Sequence, residues 1–401
     1  MINFKKIMVI SFFTPLCFLI YFLRPLIFIR FGIVQSSRIG ALATQIDNHL
    51  NANELSNNFL DIITFEEIIC NKQLANLISR LSSKNMKIVY FPKFIQRILT
   101  TLNFWSSNNI HYIKLVTHPK DFLLVNKTRV NFSKSEKDLI KNFLNNIGIK
   151  KNNSWVCVHN RDPLYLNDQT KNSNFKGSFQ LDNWNYHNYR DFNINSMIST
   201  CNYFLSKNYF VVRVGKKSNE KLDIQHPNFI DYPFIKNQKE LLELYLLANC
   251  KLFIGSTSGP SSVAHMHKRS LLITNYTELG LLNLMRHNSQ LITLKLFFDQ
   301  KTNTILSLDE IFIRKLDIIG VSQDLKKSNI KLINNSPDEI LNASKELEEI
   351  DNNTWIETPF RKKLQDKFWS KINQYKEKNR FNKHNLCVSP YFLEKHQNVL
   401  F

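Results

Sequence analysis

The stretch Gly255-Ser256-Thr257-Ser258-Gly259-Pro260-Ser261-Ser262, at the end of the apolar run KLFIG (251–255), has the composition of a phosphate cradle. Gly255 and Gly259 let backbone approach a ligand closely, Ser258 or Gly259 can cap a following helix, and Pro260 suits that helix's first turn. The hydroxyls of Ser256, Ser258, Ser261 and Ser262, together with the amides of the first turn, would meet a diphosphate at the positive end of the helix. The stretch lacks the lysine of a P-loop and the spacing of the dinucleotide fingerprint, which argues against an ATPase or a dehydrogenase. A glycine- and serine-rich bend before a helix is also an ordinary turn, so its neighbours decide its meaning.

Three other loops supply those neighbours. The run SWVCVH (154–159) delivers His159-Asn160-Arg161-Asp162-Pro163, and Arg161 can grip a phosphate bidentately as lysine cannot. Asp162 orients that guanidinium, serves as a base, or closes a structural ion pair. His159 is either a working imidazole or a satisfied core histidine. The run FVVRVG (210–215) brings Arg213, Gly215 and Lys216, and SLLITN (270–275) ends in Thr274 and Asn275. If the four runs are parallel strands, all these loops share one rim, where open α/β sheets bind ligands. Two further segments are candidates for substrate. Residues 181–191, with Trp184, Tyr186, His187, Tyr189, Arg190 and Asp191, combine aromatic faces with polar groups that suit a sugar ring, or else pack on their own domain. Ser36-Ser37-Arg38-Ile39-Gly40 offers Arg38 and Gly40 to an acceptor or a donor phosphate, or simply makes a tight turn.

The elements that must hold these loops alternate between strand-like and helical periods. PLIFIRFG (25–32), FLDIITF (59–65), MKIVYF (86–91) and a strand near 111–116 are interleaved with helical patterns over 39–55, 66–81 and 94–102. Residues 117–132 read as a connector. Ser133 and Glu136 then form a capping-box signature, and the alternation resumes with helices over 194–207, 239–248 and 261–268 between the four strands named above. Ser336, Pro337 and Glu339 mark another helix start. The expected architecture is α/β, with two consecutive Rossmann-like, doubly wound domains. The expected boundaries are an apolar segment over 1–24, a first domain over 25–132, a second over 133–330 and a basic helical extension over 331–401.

With 401 residues, 43% of them hydrophobic, the chain has material for more than one packed core and is not a disordered tail. Its net charge of +20 points to anionic partners; the other reading is a global compositional bias, in a chain crowded throughout with Asn, Lys, Ile and Phe, whose lysines supply much of the excess. The basic residues are dispersed, and no nucleic-acid partner is expected. Residues 8–23 form an uncharged apolar run after Lys5 and Lys6. It is expected to anchor the chain in or across the inner membrane from the cytoplasmic side; the other reading is an apolar helix packed on the protein itself. Residues 361–396 hold ten Lys or Arg against three Asp or Glu, as either a membrane-facing tail or a solvated helix. Cys17, Cys70, Cys157, Cys201, Cys250 and Cys387 have neither metal-ligand nor disulfide spacing and read as reduced thiols.

Taken in order, P-L-x-x-x-R-F-G, R-I-G-A-L-A (38–43), W-V-C-V-H-N-R-D-x-x-Y (155–165), Tyr189-Arg190-Asp191, V-x-R-x-G (211–215) and F-I-G-S-T-S-G (253–259) resemble a family of bacterial glycosyltransferases associated with surface-polysaccharide clusters. The resemblance spans roughly residues 24–280. The H-x-R element and the serine-rich loop are also similar, more distantly, to the donor side of GDP-fucose-using fucosyltransferases. The resemblance implies a GT-B arrangement and a nucleotide-sugar donor held mainly by the second domain, with no other cofactor. It also implies a glycan or lipid-linked acceptor approaching from the first domain. Arg161, Asp162 and His159 would be catalytic. Arg213, Gly215, Gly255, Ser256, Ser258, Gly259, Ser261, Ser262 and Asn275 would hold the donor, and Arg38, Gly40, Tyr189 and Arg190 the substrate. No DxD-like pair follows a suitable strand, so no metal is expected. One departure stands out: the family usually has His where this chain has Ala41. A sugar-nucleotide epimerase or hydrolase of the same shape, or a non-catalytic anchored carbohydrate-binding protein, are the rival readings.

Overall fold

The computed structural model describes residues 4–52, 59–106, 109–116, 130–164, 167, 185–284, 290–318, 320, 322–375 and 387–401. The chain forms two compact units, Met1–Lys137 and Asp138–Phe401. The 181–184 portion of the aromatic loop, with Trp184, lies outside the described residues, as do Tyr165 and most of the 117–132 connector.

Unit 1 is a four-stranded parallel sheet of order β3-β2-β1-β4, built from β1 (Phe28–Val34), β2 (Phe59–Phe65), β3 (Met86–Val89) and β4 (Tyr112–Ile113). Its helices are α1 (Phe4–Leu23), α2 (Ile39–Ala52), α3 (Lys72–Ser79) and α4 (Pro92–Trp105). Alternate residues of β1, Ile29, Phe31 and Ile33, turn to one face and join Ile95, Ile98, Leu99 and Leu102 of α4 and Phe13, Cys17 and Ile20 of α1 in one cluster. The strand predicted over 25–32 begins later because residues 24–27 still turn back onto the end of α1, with the Leu26 and Ile27 amides donating to Leu23 O. The helix predicted over 66–81 also begins later: Asn71 accepts from Leu74 N at 2.7 Å and sets its start.

Helix α5 (Lys134–Asn146) opens on the capping box that the sequence signals, with Ser133 N donating to Glu136 Oε2 at 2.7 Å. Unit 2 follows as a seven-stranded parallel sheet of order β14-β10-β9-β8-β5-β6-β7. Its strands are β5 (Trp155–His159), β6 (Phe210–Arg213), β7 (Phe229–Asp231), β8 (Leu252–Gly255), β9 (Ser270–Tyr276), β10 (Gln290–Leu294) and β14 (Cys387–Val388). A separate antiparallel sheet joins β11 (Leu296–Asp299), β12 (Thr304–Ile305) and β13 (Ile330–Ile333). Helices α6 (Ile198–Ser206), α7 (Glu240–Asn249), α8 (Gly259–Met266), α9 (Leu308–Ile313), α10 (Ser322–Lys327), α11 (Pro337–Asp351), α12 (Pro359–Tyr375) and α13 (Pro390–Leu400) complete the unit. The core gathers Val156, Val158, Val211, Leu252, Ile254 and Leu272 under Phe204 of α6 and Ile340, Ala343 and Leu347 of α11.

Residues 331–401 are therefore not an appended extension. Helix α11 covers the main sheet, and β14 pairs with β10 through Leu291↔Cys387 and Ile292↔Val388. The buried Glu346 of α11 accepts from Tyr391 N at 2.8 Å and ties down the start of α13. Among the described residues all six cysteines are free thiols.

Candidate active site

The order of the main sheet fixes where a ligand can sit. From β5 the chain steps outward through β6 to β7, then returns to place β8 on the other side of β5 and continues through β9 to β10. The strand order thus reverses between β5 and β8, and the crevice beyond their carboxyl ends is the binding position of such sheets. The two loops with the strongest sequence signals open there.

Gly255 is required at this junction. It is paired in register with His159, and a Cβ on it would lie 2.4 Å from the His159 carbonyl oxygen. One residue on, Arg161 N donates to the buried Ser256 Oγ at 3.0 Å, tying the β5 loop to the β8 loop. Ser258 caps α8: its hydroxyl accepts from Ser261 N, while the hydroxyls of Ser261 and Ser262 donate to Ser258 O at 2.8 and 3.1 Å. These serines therefore build the helix start, and Gly259 and Pro260 form its first turn as expected.

The Arg161 side chain is buried and paired with Asp191. Asp191 follows the short helical turn Asn185–Arg190, which is held to the sheet from several sides. Asn160 Nδ2 donates to Phe192 O at 3.1 Å, Lys295 Nζ to Tyr189 O and Asp191 O at 2.8 and 2.6 Å, and Tyr189 Oη to Glu278 Oε1 at 2.7 Å. Arg190 lies over the Tyr189 ring, its guanidinium carbon 5.6 Å from the centroid, and its buried Nε meets no acceptor among the described residues. Burial pushes Lys295 down to about 8 and lifts the Asp191 carboxyl above its usual range. Arg161, Arg190 and Lys295 all act on Asp191 electrostatically, so positive charge is in surplus there.

His159 is neutral. Burial, reinforced by Arg213 and Arg161, pushes it down to about 4 against the pull of Val214 O, which lies 2.9 Å from Nδ1. The carbonyl fixes the proton on Nδ1 and leaves Nε2 as an acceptor. Gly215 passes beside this ring with φ of 135°, a conformation open to glycine alone, and its amide donates to the buried Glu243, whose carboxyl burial lifts to about 7.

Four sequence expectations need correction. Asp162 is saturated: Oδ1 accepts from Leu164 N at 2.8 Å and Asn219 Nδ2 at 2.7 Å, and Oδ2 from Asn219 N at 2.8 Å and Ser218 Oγ at 3.2 Å. It staples the loop after β6 to the end of β5 and has no lone pair left for a base's work. Arg213 is 1% exposed and spends its guanidinium on Glu220 O, Ser218 and Asp231. Asn275, with φ of 57°, exchanges two hydrogen bonds with Asn335 at 2.7 and 2.8 Å, which lock the end of β9. Tyr189, expected to face substrate, is buried and gives its hydroxyl to Glu278. Lys295 and Glu278 carry no local signal; only the fold brings them to residue 189.

Unit 1 has a reversal of its own, between β1 and β4. Arg38 and Gly40 stand at that rim, half-buried at the start of α2, behind a loop in which Ser37 N and Oγ both donate to Glu66 Oε2, at 3.1 and 2.6 Å. Ala41, in the same turn, is buried.

No protein-family model and no curated protein matches the chain. Among solved structures, it is similar to the E. coli ADP-heptose lipopolysaccharide heptosyltransferase II, at 10% identity over 61% of this chain and 84% of that one, with a TM-score of 0.35. A glycosyl transferase family 9 protein from Veillonella parvula is 8% identical over 62% of this chain and 80% of its own, with a TM-score of 0.37. The wall teichoic acid polymerase TagF, as its H444N variant, is 11% identical over 99% and 97%, with a TM-score of 0.29.

Proposed function

We propose that the chain is a glycosyltransferase that moves a sugar from a nucleotide-sugar donor to a surface-polysaccharide or lipid-linked glycan acceptor at the cytoplasmic face of the inner membrane. One observation carries the reading: the 3.0 Å bond from Arg161 N to Ser256 Oγ, which brings a guanidinium-bearing loop against the start of α8 at the strand-order reversal.

The chemistry demands such a place. As an acceptor hydroxyl attacks the anomeric carbon, the glycosyl–phosphate bond breaks, its electron pair leaves with the nucleoside diphosphate, and the hydroxyl's proton passes to water. Cations and amides already in position stabilise that charge more in the transition state than in the bound donor. Arg161 and Arg190 are assigned to the diphosphate, with Lys295 holding the turn that carries Asp191. Neutral His159, an acceptor through Nε2, is assigned to a donor hydroxyl. The helix start at Ser258 and Gly259 offers the end of α8 to phosphoryl oxygens. Arg38 and Gly40 are assigned to the acceptor.

The test is a thermal-shift screen of the full chain against GDP-, UDP-, ADP- and CMP-sugars. One nucleotide class should raise the melting temperature of the wild type, and the shift should disappear in Arg161→Ala. A wild type that no nucleotide sugar stabilises, or an Arg161→Ala variant stabilised as strongly as the wild type, overturns the proposal.

A further inference from the structure

Helix α1 presents two unlike faces. Ile10, Phe13, Cys17 and Ile20 are buried, and the last three share a cluster with Ile95, Ile98, Leu99 and Leu102 of α4. Phe13 meets Phe94 edge-on with ring centroids 5.5 Å apart, and Trp105 Nε1 of α4 donates to Thr14 Oγ1 at 3.0 Å. The opposite stripe, Phe4, Met8, Phe12, Leu19 and Phe22, is apolar and exposed, with Phe12 at 79% and Phe22 at 80%. Such a stripe on a soluble surface helix is normally polar. The exposed apolar surface continues across Phe18 to Trp105, ring centroids 6.0 Å apart, and on to Phe104 of α4.

By length and hydropathy α1 is able to cross a bilayer. Its packing argues otherwise. The buried stripe from Ile10 to Ile20 runs about 15 Å along the helix against α4. Standing α1 upright in hydrocarbon would carry the exposed Gln96, Arg97 and Asn103 of α4 in with it. Lying flat, α1 puts its aromatic stripe at the acyl boundary and leaves α4's polar residues among the headgroups.

We propose that unit 1 is monotopic: α1 lies in the plane of an anionic bilayer, and the Phe104–Trp105 end of α4 enters the interface beside it. This deepens the membrane reading above and is independent of glycosyl transfer. The charge pattern selects lipid as the occupant. Exposed Lys5, Lys6, Arg24 and Arg97 border the patch, and neither helix contains an Asp or Glu. Lys93, beside them, lies 3.5 Å from Glu67. A second copy docking through the same patch would set this basic border against itself, whereas phosphatidylglycerol headgroups neutralise it.

The experiment is flotation of the full chain with phosphatidylcholine vesicles with or without phosphatidylglycerol. Wild type should float with the anionic vesicles and detach in alkaline carbonate. Phe12→Asp/Phe22→Asp should abolish flotation, Phe104→Asp should weaken it, and Arg97→Ala should weaken it by about fivefold, all with unchanged circular dichroism. Should Phe104→Asp unfold the chain, Phe104→Ser takes its place. Carbonate-resistant protein with wild-type flotation of the α4 variants would establish a span and overturn the proposal. So would a concentration-dependent dimer that ignores vesicles. Neither outcome bears on nucleotide binding.

Discussion

Two charge clusters in this molecule use nearly the same parts and come to opposite ends. In unit 1, Arg30 donates twice to Asp61, at 2.7 and 2.8 Å, and His49 Nε2 lies 2.8 Å from the same carboxylate. Burial pushes Asp61 up, but the hydrogen bonds from His49 and Arg30 outweigh it and hold the carboxyl below its usual range. In unit 2, Arg161, Arg190 and Lys295 surround Asp191, where burial wins and the carboxyl rises. The first pair is cross-strand: Arg30 and Asp61 oppose each other in register between β1 and β2. The second lies on loops beyond the strand ends, beside the β5/β8 reversal. The difference is one of position and charge balance. A carboxylate fully occupied inside a sheet makes a staple, whereas cations in excess at a sheet's carboxyl rim leave charge for an anion to answer.

Removing the arginine from each cluster separates the two roles. Arg30→Ala leaves Asp61 enclosed with only His49 beside it and should cost about 3–5 kcal/mol in urea unfolding, with donor affinity of the folded protein unchanged. Arg161→Ala should do the reverse. Asp191 keeps Lys295 and Arg190 nearby, so the unfolding midpoint should move little, while kcat/KM drops by roughly a hundredfold to a thousandfold. Equal effects of the two variants on both measurements would erase the distinction.

Gly255→Ala presses the same contrast sterically. The added methyl would sit 2.4 Å from a backbone oxygen that cannot swing aside, so β5 and β8 must part. The expected cost is about 1–3 kcal/mol, accompanied by loss of the nucleotide-dependent thermal shift. The Lys295 amine offers a milder handle. With its value near 8, its charge disappears as pH rises through that point, so nucleotide affinity should fall severalfold between about pH 7 and 9. In Lys295→Met the titration carried out between those pH values should be flat; an unchanged profile would remove Lys295 from the site's electrostatics.

The sequence shows most of the parallel framework, because runs such as WVCVH and LFIG are buried on both faces and read as continuous apolar strands. It conceals the elements whose order comes from elsewhere. β14 is two residues long and has no period to detect. Helix ends are hard to see because only nine glycines are present and other residues take the left-handed positions. Asn208, Asn329 and Asn353 follow α6, α10 and α11 at φ of 55–61°, and Lys268 follows α8 at 57°. In the site, the loops at 161 and 256 are legible because residue type and strand end coincide. Lys295, 106 residues from the carbonyl it holds, interrupts an apolar run and reads as a break in a strand. Arg213 misleads for the opposite reason: a strand-end arginine next to glycine suits a phosphate, but Asp231 on the neighbouring strand β7, itself not foreseen, claims it.

Asp162 gives the finest test, because it lies beside Arg161 in sequence yet behaves like Asp61. Its four accepted bonds make it a loop staple. Asn in its place keeps one acceptor oxygen and turns the other position into a donor facing donors, so Asp162→Asn should cost about 1–2 kcal/mol. The acid limb of the pH–rate profile should stay where it is, and turnover should fall only in proportion to the unfolded fraction. A hundredfold loss in kcat with an intact unfolding midpoint would restore Asp162 as the base that its sequence position suggests. Rim and staple would then have to be told apart by proton transfer rather than by charge balance.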